Sequence, residues 1–130
     1  MAQEHASGCG VATTSYILGI SYKKTIKLFK DGEFRAQSRG FYCREIVRAL
    51  GTVGLNYNFR HINKKNKNLI YRNKIICYIR KNKKYPQGHY IARINNEWID
   101  PWINYPSLIN VSSGIRKRLP GQAVYAILPI

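Results

Sequence analysis

The sequence predicts an α+β fold in which N-terminal helices pack on a C-terminal antiparallel sheet. Two observations predict it. Apolar residues recur at three- and four-residue spacing in the first fifty positions, whereas two-residue alternation and short apolar runs take over afterwards. Helices first and strands later, with no internal repeat, is the order of segregated layers rather than of alternating βαβ units. A chain of 130 residues is long enough to bury one core, so residues 1–130 are read as a single domain.

The elements follow in order. Residues 9–19 have helical character, with Val11, Ala12, Ser15, Tyr16 and Leu18 giving an apolar face and Gly19 a stop. Ser21 is placed to cap a short basic helix over residues 21–30, which Asp31-Gly32 ends. A third helix covers about 41–50, because Cys43, Ile46, Val47 and Leu50 share one face; Ser38 or Gly40 opens it and Gly51 closes it. Residues 55–60 alternate as a strand, and the polar run 63–68 reads as a loop. Residues 75–80 are a buried strand, Tyr85-Pro86-Gln87-Gly88 a turn, and residues 89–94 a further strand. Asn95-Asn96 turns that strand back into residues 97–100, which Asp100-Pro101 terminates. Residues 122–128 supply the last strand.

The charge balance is extreme: 22 Lys and Arg against 6 Asp and Glu, a net +16, with no acidic residue between Glu45 and Glu97. Such a charge implies an anionic partner, whether RNA, an anionic membrane surface or an acidic immunity or inhibitor protein. A genome whose codons favour Lys, Asn and Ile produces the same composition. The candidate anion-binding residues are Arg60, Lys64, Lys65, Lys67, Arg72 and Lys74, with Arg116, Lys117 and Arg118. No apolar run reaches the ~18 residues of a membrane span. Three cysteines without a CxxC pair argue against zinc, so no metal or cofactor is expected. An odd count suits a reducing compartment, the cytoplasm or that of a target cell. Cys43 and Cys77 read as core thiols. The abrupt start of the chain on its motif is expected either of a domain released from a larger secreted protein or of a chain whose start codon sits just upstream of its site.

Cys9 carries the candidate chemistry. It lies between Gly8 and Gly10, just ahead of the first helix, where a helix N-terminus offers free N–H groups and favours a thiolate. The flanking glycines would leave the backbone open to a carbonyl substrate. Gln3, six residues upstream, is a candidate oxyanion donor. Of three histidines, His5 and His61 read as loop or exposed residues. His89 follows Gly88 and opens a strand, so it is the candidate base. A tight hairpin at Asn95-Asn96 brings Asp100 beside Ile91 and within reach of His89, which makes Asp100 the candidate orienter; Glu97, near the turn, faces solvent.

This set resembles the papain-like cysteine peptidases, and most of all the bacteriocin-processing C39 peptidase group. The resemblance rests on Gln3, Cys9-Gly10-Val11-Ala12, the glycine-helix-glycine segment from Gly40 to Gly54, Gly88-His89-Tyr90 and Asp100-Pro101, in that order over residues 3–102. Gly8 stands where the group has an acidic residue, and the interval from His89 to Asp100 is short. The resemblance implies a papain-like fold with Cys9 as nucleophile, His89 as general base and acid and Asp100 as orienter. Gln3 and the Cys9 amide would form the oxyanion hole, and the substrate would be a polypeptide amide bond. The alternative is an antibacterial toxin or effector domain on the same fold, which acts on RNA or deamidates a protein through its basic surface.

Overall fold

The computed structural model describes residues 5, 7–105, 107 and 111–130. Four helices, α1 (Cys9–Leu18), α2 (Tyr22–Ile26), α3 (Gly32–Gln37) and α4 (Cys43–Thr52), precede six strands: β1 (Tyr57–His61), β2 (Ile75–Ile79), β3 (His89–Ile94), β4 (Glu97–Asp100), β5 (Gly114–Arg116) and β6 (Ala123–Pro129). The strands form one antiparallel sheet in the order β1-β6-β2-β3-β4-β5. A 3₁₀ turn at Lys67–Tyr71 lies between β1 and β2.

The sheet separates two apolar clusters. Alternation along β2 sends Ile76 and Tyr78 toward the helices, against Val11, Ala12, Ile46, Leu50 and Tyr90. It sends Ile75, Cys77 and Ile79 to the other face, where Ile91, Trp98 and Leu128 complete the second cluster with Ile70. Because both faces of β2 are covered, its sequence is a continuous apolar run rather than an alternating one. Helix α1 packs on β3.

Several expectations shift in detail. Ser21 caps α2, its hydroxyl accepting from the Lys24 N–H at 3.2 Å, but α2 stops at Ile26. Asp31-Gly32 is a joint rather than an end: Asp31 takes a left-handed conformation and the chain restarts as α3. That helix left no periodic signal, because only Gly32 and Ala36 of its residues are buried and Phe34 is exposed. Tyr42, not Ser38 or Gly40, stands before α4, where its N–H donates to Glu45 at 2.8 Å, and Gly51 lies inside the helix. Strand β5 was also without a sequence signal, being three residues long.

Candidate active site

Cys9 is the first residue of α1. The first bond into the helix runs from the Ala12 N–H to the Gly8 carbonyl at 3.0 Å, so the amides of Cys9, Gly10 and Val11 point out of the helix start. The loop behind it is fixed: the Ser7 N–H donates to Ala36 at 2.8 Å, and His5 Nδ1 lies 2.9 Å from the Tyr22 hydroxyl. The two glycines have a different role from the one expected. Both are buried. A Cβ on Gly8 would collide with the Tyr22 hydroxyl, and one on Gly10 would press on Phe41 Cβ at 3.3 Å. They let the helix start sit close to its neighbours rather than opening the backbone to solvent.

The histidine arrives from the sheet. Tyr85-Pro86-Gln87-Gly88 closes with the Gly88 N–H donating to the Tyr85 carbonyl at 2.9 Å. Gly88 has φ +78°, and a Cβ there would overlap the Tyr78 ring. Only glycine can turn the chain here and deliver His89 at the first position of β3. At the far end of β3, Asn95 and Asn96 both take positive φ (50° and 67°), the geometry of a two-residue hairpin. The register pairs Ala92 with Ile99, Arg93 with Trp98 and Ile94 with Glu97. Continued by one pair, it sets Asp100 opposite Ile91, two residues from His89.

His89 Nε2 and Asp100 Oδ1 are 2.7 Å apart, with His89 3% exposed and Asp100 fully buried. The carboxylate is held on both oxygens. The Trp102 N–H donates to Oδ1 at 2.9 Å, and Arg116 Nε donates to Oδ2 at 2.6 Å. Burial would raise the Asp100 carboxyl, yet the His89, Arg116 and Trp102 donors together hold it below its ordinary value. An ionised Asp100 can only accept, so Nε2 carries the proton of that bond and Nδ1 is left for the hydrogen bond with Cys9. Burial alone would lower the imidazole. The bonds and charges of Asp100 and Cys9 outweigh it and raise His89 to about 9.

Aromatic rings enclose this chain of groups. Tyr85 lies flat on the imidazole, centroids 4.4 Å apart and planes 3° from parallel. Tyr105 packs on Tyr85 and Trp102 on Tyr105. These rings, with Cys9, His89 and Gln87, line a cavity of about 330 Å³ that exposes the thiol to solvent.

The other candidates distribute as follows. Gln3 lies outside the described residues. Arg60, Lys64, Lys65, Lys67, Arg72, Lys74, Lys117 and Arg118 are all exposed, and the first six lie on β1 and on the connection to β2. Arg116 is separate from them: its guanidinium turns inward, with Nε on Asp100 and a second nitrogen 3.4 Å from the Tyr85 hydroxyl. Its place beside Asp100 follows from the pairing of Asp100 with Gly114 across β4 and β5, a pairing that no sequence motif announced. Cys77 is fully buried and Cys43 half-buried, its thiol 3.7 Å from the Tyr90 hydroxyl. Among the described residues no helix is long and apolar enough to cross a membrane, and no His, Cys, Asp or Glu cluster could hold a metal ion. No protein-family model matches the chain, and no curated protein matches it significantly.

Proposed function

We propose that this chain is a cysteine-dependent hydrolase of papain-like type that cleaves a polypeptide amide bond, with Cys9, His89 and Asp100 as its triad. The observation that carries the reading is the buried 2.7 Å contact between His89 Nε2 and Asp100, with the other imidazole nitrogen turned to a solvent-reachable thiol at a helix start. A histidine held by a carboxylate and facing a thiol is the arrangement that activates a cysteine nucleophile.

In the first half-reaction Cys9 Sγ, its proton transferred to His89 Nδ1, attacks the carbonyl carbon. The oxyanion that forms lies at the α1 start, toward the Cys9 amide, with Gln3 as its second donor in this reading. Collapse expels the amine, which takes the proton from Nδ1 and leaves a Cys9 thioester. Water then attacks the thioester as Nδ1 takes its proton, and the thiol leaves with that proton restored. Asp100 keeps Nε2 protonated throughout and stabilises the imidazolium; Arg116 and the Trp102 amide keep Asp100 ionised and aimed.

The test is digestion of a proteome-derived peptide pool by the wild type and by Cys9→Ala, read by mass spectrometry. Cleavages that vanish in Cys9→Ala and His89→Ala are the expected result. A pool left intact by the folded wild-type protein overturns the proposal.

A second reading is favoured by the exposed cations of the β1–β2 region: an effector on this fold that acts on RNA or deamidates a protein and is neutralised by an acidic partner. RNA cleavage that survives in Cys9→Ala would favour it, as would RNA binding that weakens steeply with salt.

A further inference from the structure

A second cavity, about 440 Å³, adjoins the catalytic one. The two share Arg39, Phe41, Tyr78, Gln87 and Tyr90, so they lie on either side of a common wall, with Cys9 in the first. The floor of the second half is aromatic. Tyr78 packs between Tyr90 and Tyr125, with ring centroids 5.0 and 6.4 Å away, and its hydroxyl donates to the Gln87 carbonyl at 2.9 Å. That bond ties the floor of the second cavity to the turn that delivers His89.

The walls are cationic. Arg39, Arg44 and Lys81 all line this half, and among the described residues no acidic one does. Arg39 is already neutralised, its guanidinium bonded to both Glu45 oxygens at 3.0 and 3.1 Å. Arg44 and Lys81 are different. Both are exposed, Arg44 lies over the Tyr42 ring with its carbon 4.5 Å from the centroid, and neither has an ion-pair partner among the described residues. Two cations without an ion-pair partner among the described residues thus line an aromatic cavity that shares a wall with the cavity of Cys9.

We propose that the second cavity selects the substrate: a polypeptide with an Asp or Glu side chain a few residues to one side of the scissile bond, its carboxylate between Arg44 and Lys81 and its stem on Tyr78 and Tyr125. The proposal rests on the hydrolase reading above. It assigns part of the basic charge a local task, distinct from the cations of the β1–β2 region, and the complementary chemistry is a carboxylate because the cavity offers cations and aromatic faces and, among the described residues, no acid.

The experiment is a fluorescence-quenched peptide library, scanned with Asp, Glu, Asn, Gln and Lys at each of four positions on either side of the cleaved bond. It is run on the wild type, Arg44→Gln/Lys81→Gln and Arg44→Glu/Lys81→Glu, with Cys9→Ala as blank and circular dichroism as the check of folding. The expected result is one position at which Asp or Glu raises kcat/KM roughly fivefold to tenfold over the amides, the gain expected of two solvent-screened charge pairs. The gain disappears in the Gln variant, inverts in favour of Lys in the Glu variant, and shrinks with added salt. Cys9-dependent cleavage without an acidic preference, or with one that persists in the Glu variant, overturns the subsite and leaves the hydrolase reading intact. Absence of any Cys9-dependent cleavage overturns the hydrolase reading itself, and the subsite with it.

Discussion

Raising the pH from 6.5 to 9 is expected to weaken the fold, and Asp100→Asn to reduce that weakening. In the folded protein the bonds and charges of Asp100 and Cys9 overcome the opposing effect of burial and raise His89 from 6.5 to about 9, so the native state holds this proton more tightly than the unfolded chain does. The extra stability is complete below 6.5, falls between 6.5 and 9, and is gone above 9. A rise of between two and three pH units corresponds to about 3 kcal/mol, a large part of the total stability of a domain this size. Asp100 has the opposite sign: its carboxyl is lowered from 3.8, so its contribution is present above 3.8 and is lost as the pH falls further. Both describe one coupled pair and are not added. The maximum therefore lies between 3.8 and 6.5, where imidazolium faces carboxylate. Urea denaturation across a pH series measures it, and the loss from pH 6.5 to 9 corresponds to a fall in midpoint of about 1–3 M. In Asp100→Asn the charged acceptor is gone, Cys9 alone is left to oppose burial, and the midpoint falls less over this range. An equal fall in wild type and Asp100→Asn would refute the reasoning, since the proton would then not be held by Asp100.

The other predictions test the geometry around that pair. Iodoacetamide followed by peptide mapping is expected to modify Cys9 first, Cys43 more slowly and Cys77 only on unfolding, because burial raises the Cys43 thiol and pushes Cys77 up to about 12; equal rates at Cys9 and Cys77 in the native protein would refute it. Gly88→Ala is expected to cost about 2–4 kcal/mol in a thermal or urea melt, from positive φ combined with overlap on the hydroxyl end of the Tyr78 ring, and to lower activity by displacing His89. Arg116→Gln is expected to reduce kcat by roughly tenfold with a smaller change in KM, because it leaves the Asp100 Oδ2 without its charged donor, while Arg116 itself does not line the cavity and reaches it only through the long bond to Tyr85; Arg116→Lys recovers part of the loss, and a shift in the upper limb of the pH–rate profile separates positioning of Asp100 from a general loss of fold.

The hairpin that carries His89 and Asp100 was legible because its information is local. Gly88, the Asn95-Asn96 pair and the alternation of β3 and β4 set a register by themselves, and that register carries Asp100 to His89. The position of Cys9 at a helix start was equally local. What escaped the sequence depends on contacts between distant segments. The glycines beside Cys9 read as openings for a substrate, but what surrounds them is Tyr22 from α2 and Phe41 from the approach to α4. Helix α3 has too little buried surface to leave a period, and its place is fixed by Gly32 lying against the Ile26 carbonyl and by the ion pair of Arg35 with Glu45.

Arg116 shows how a composition can mislead about a single residue. Among 22 basic residues, in the run Arg116-Lys117-Arg118, it reads as one more solvated cation. Alternation along the short edge strand β5 separates it from its neighbour: Ile115 projects to solvent at 60% exposure, while Arg116 reaches Asp100. The consequence bears on charge as well as position. Asp100 accepts from a cation on each oxygen once His89 is protonated, so the buried cluster holds two positive groups around one carboxylate and carries a net charge of +1. Arg116 is partly exposed, so water screens its share of that charge, and the group on the far side of the imidazole is the Cys9 sulfur. Arg116 thus acts on the site from inside the fold, through Asp100, whereas the cations exposed on β1 and on the connection to β2 act only from the surface.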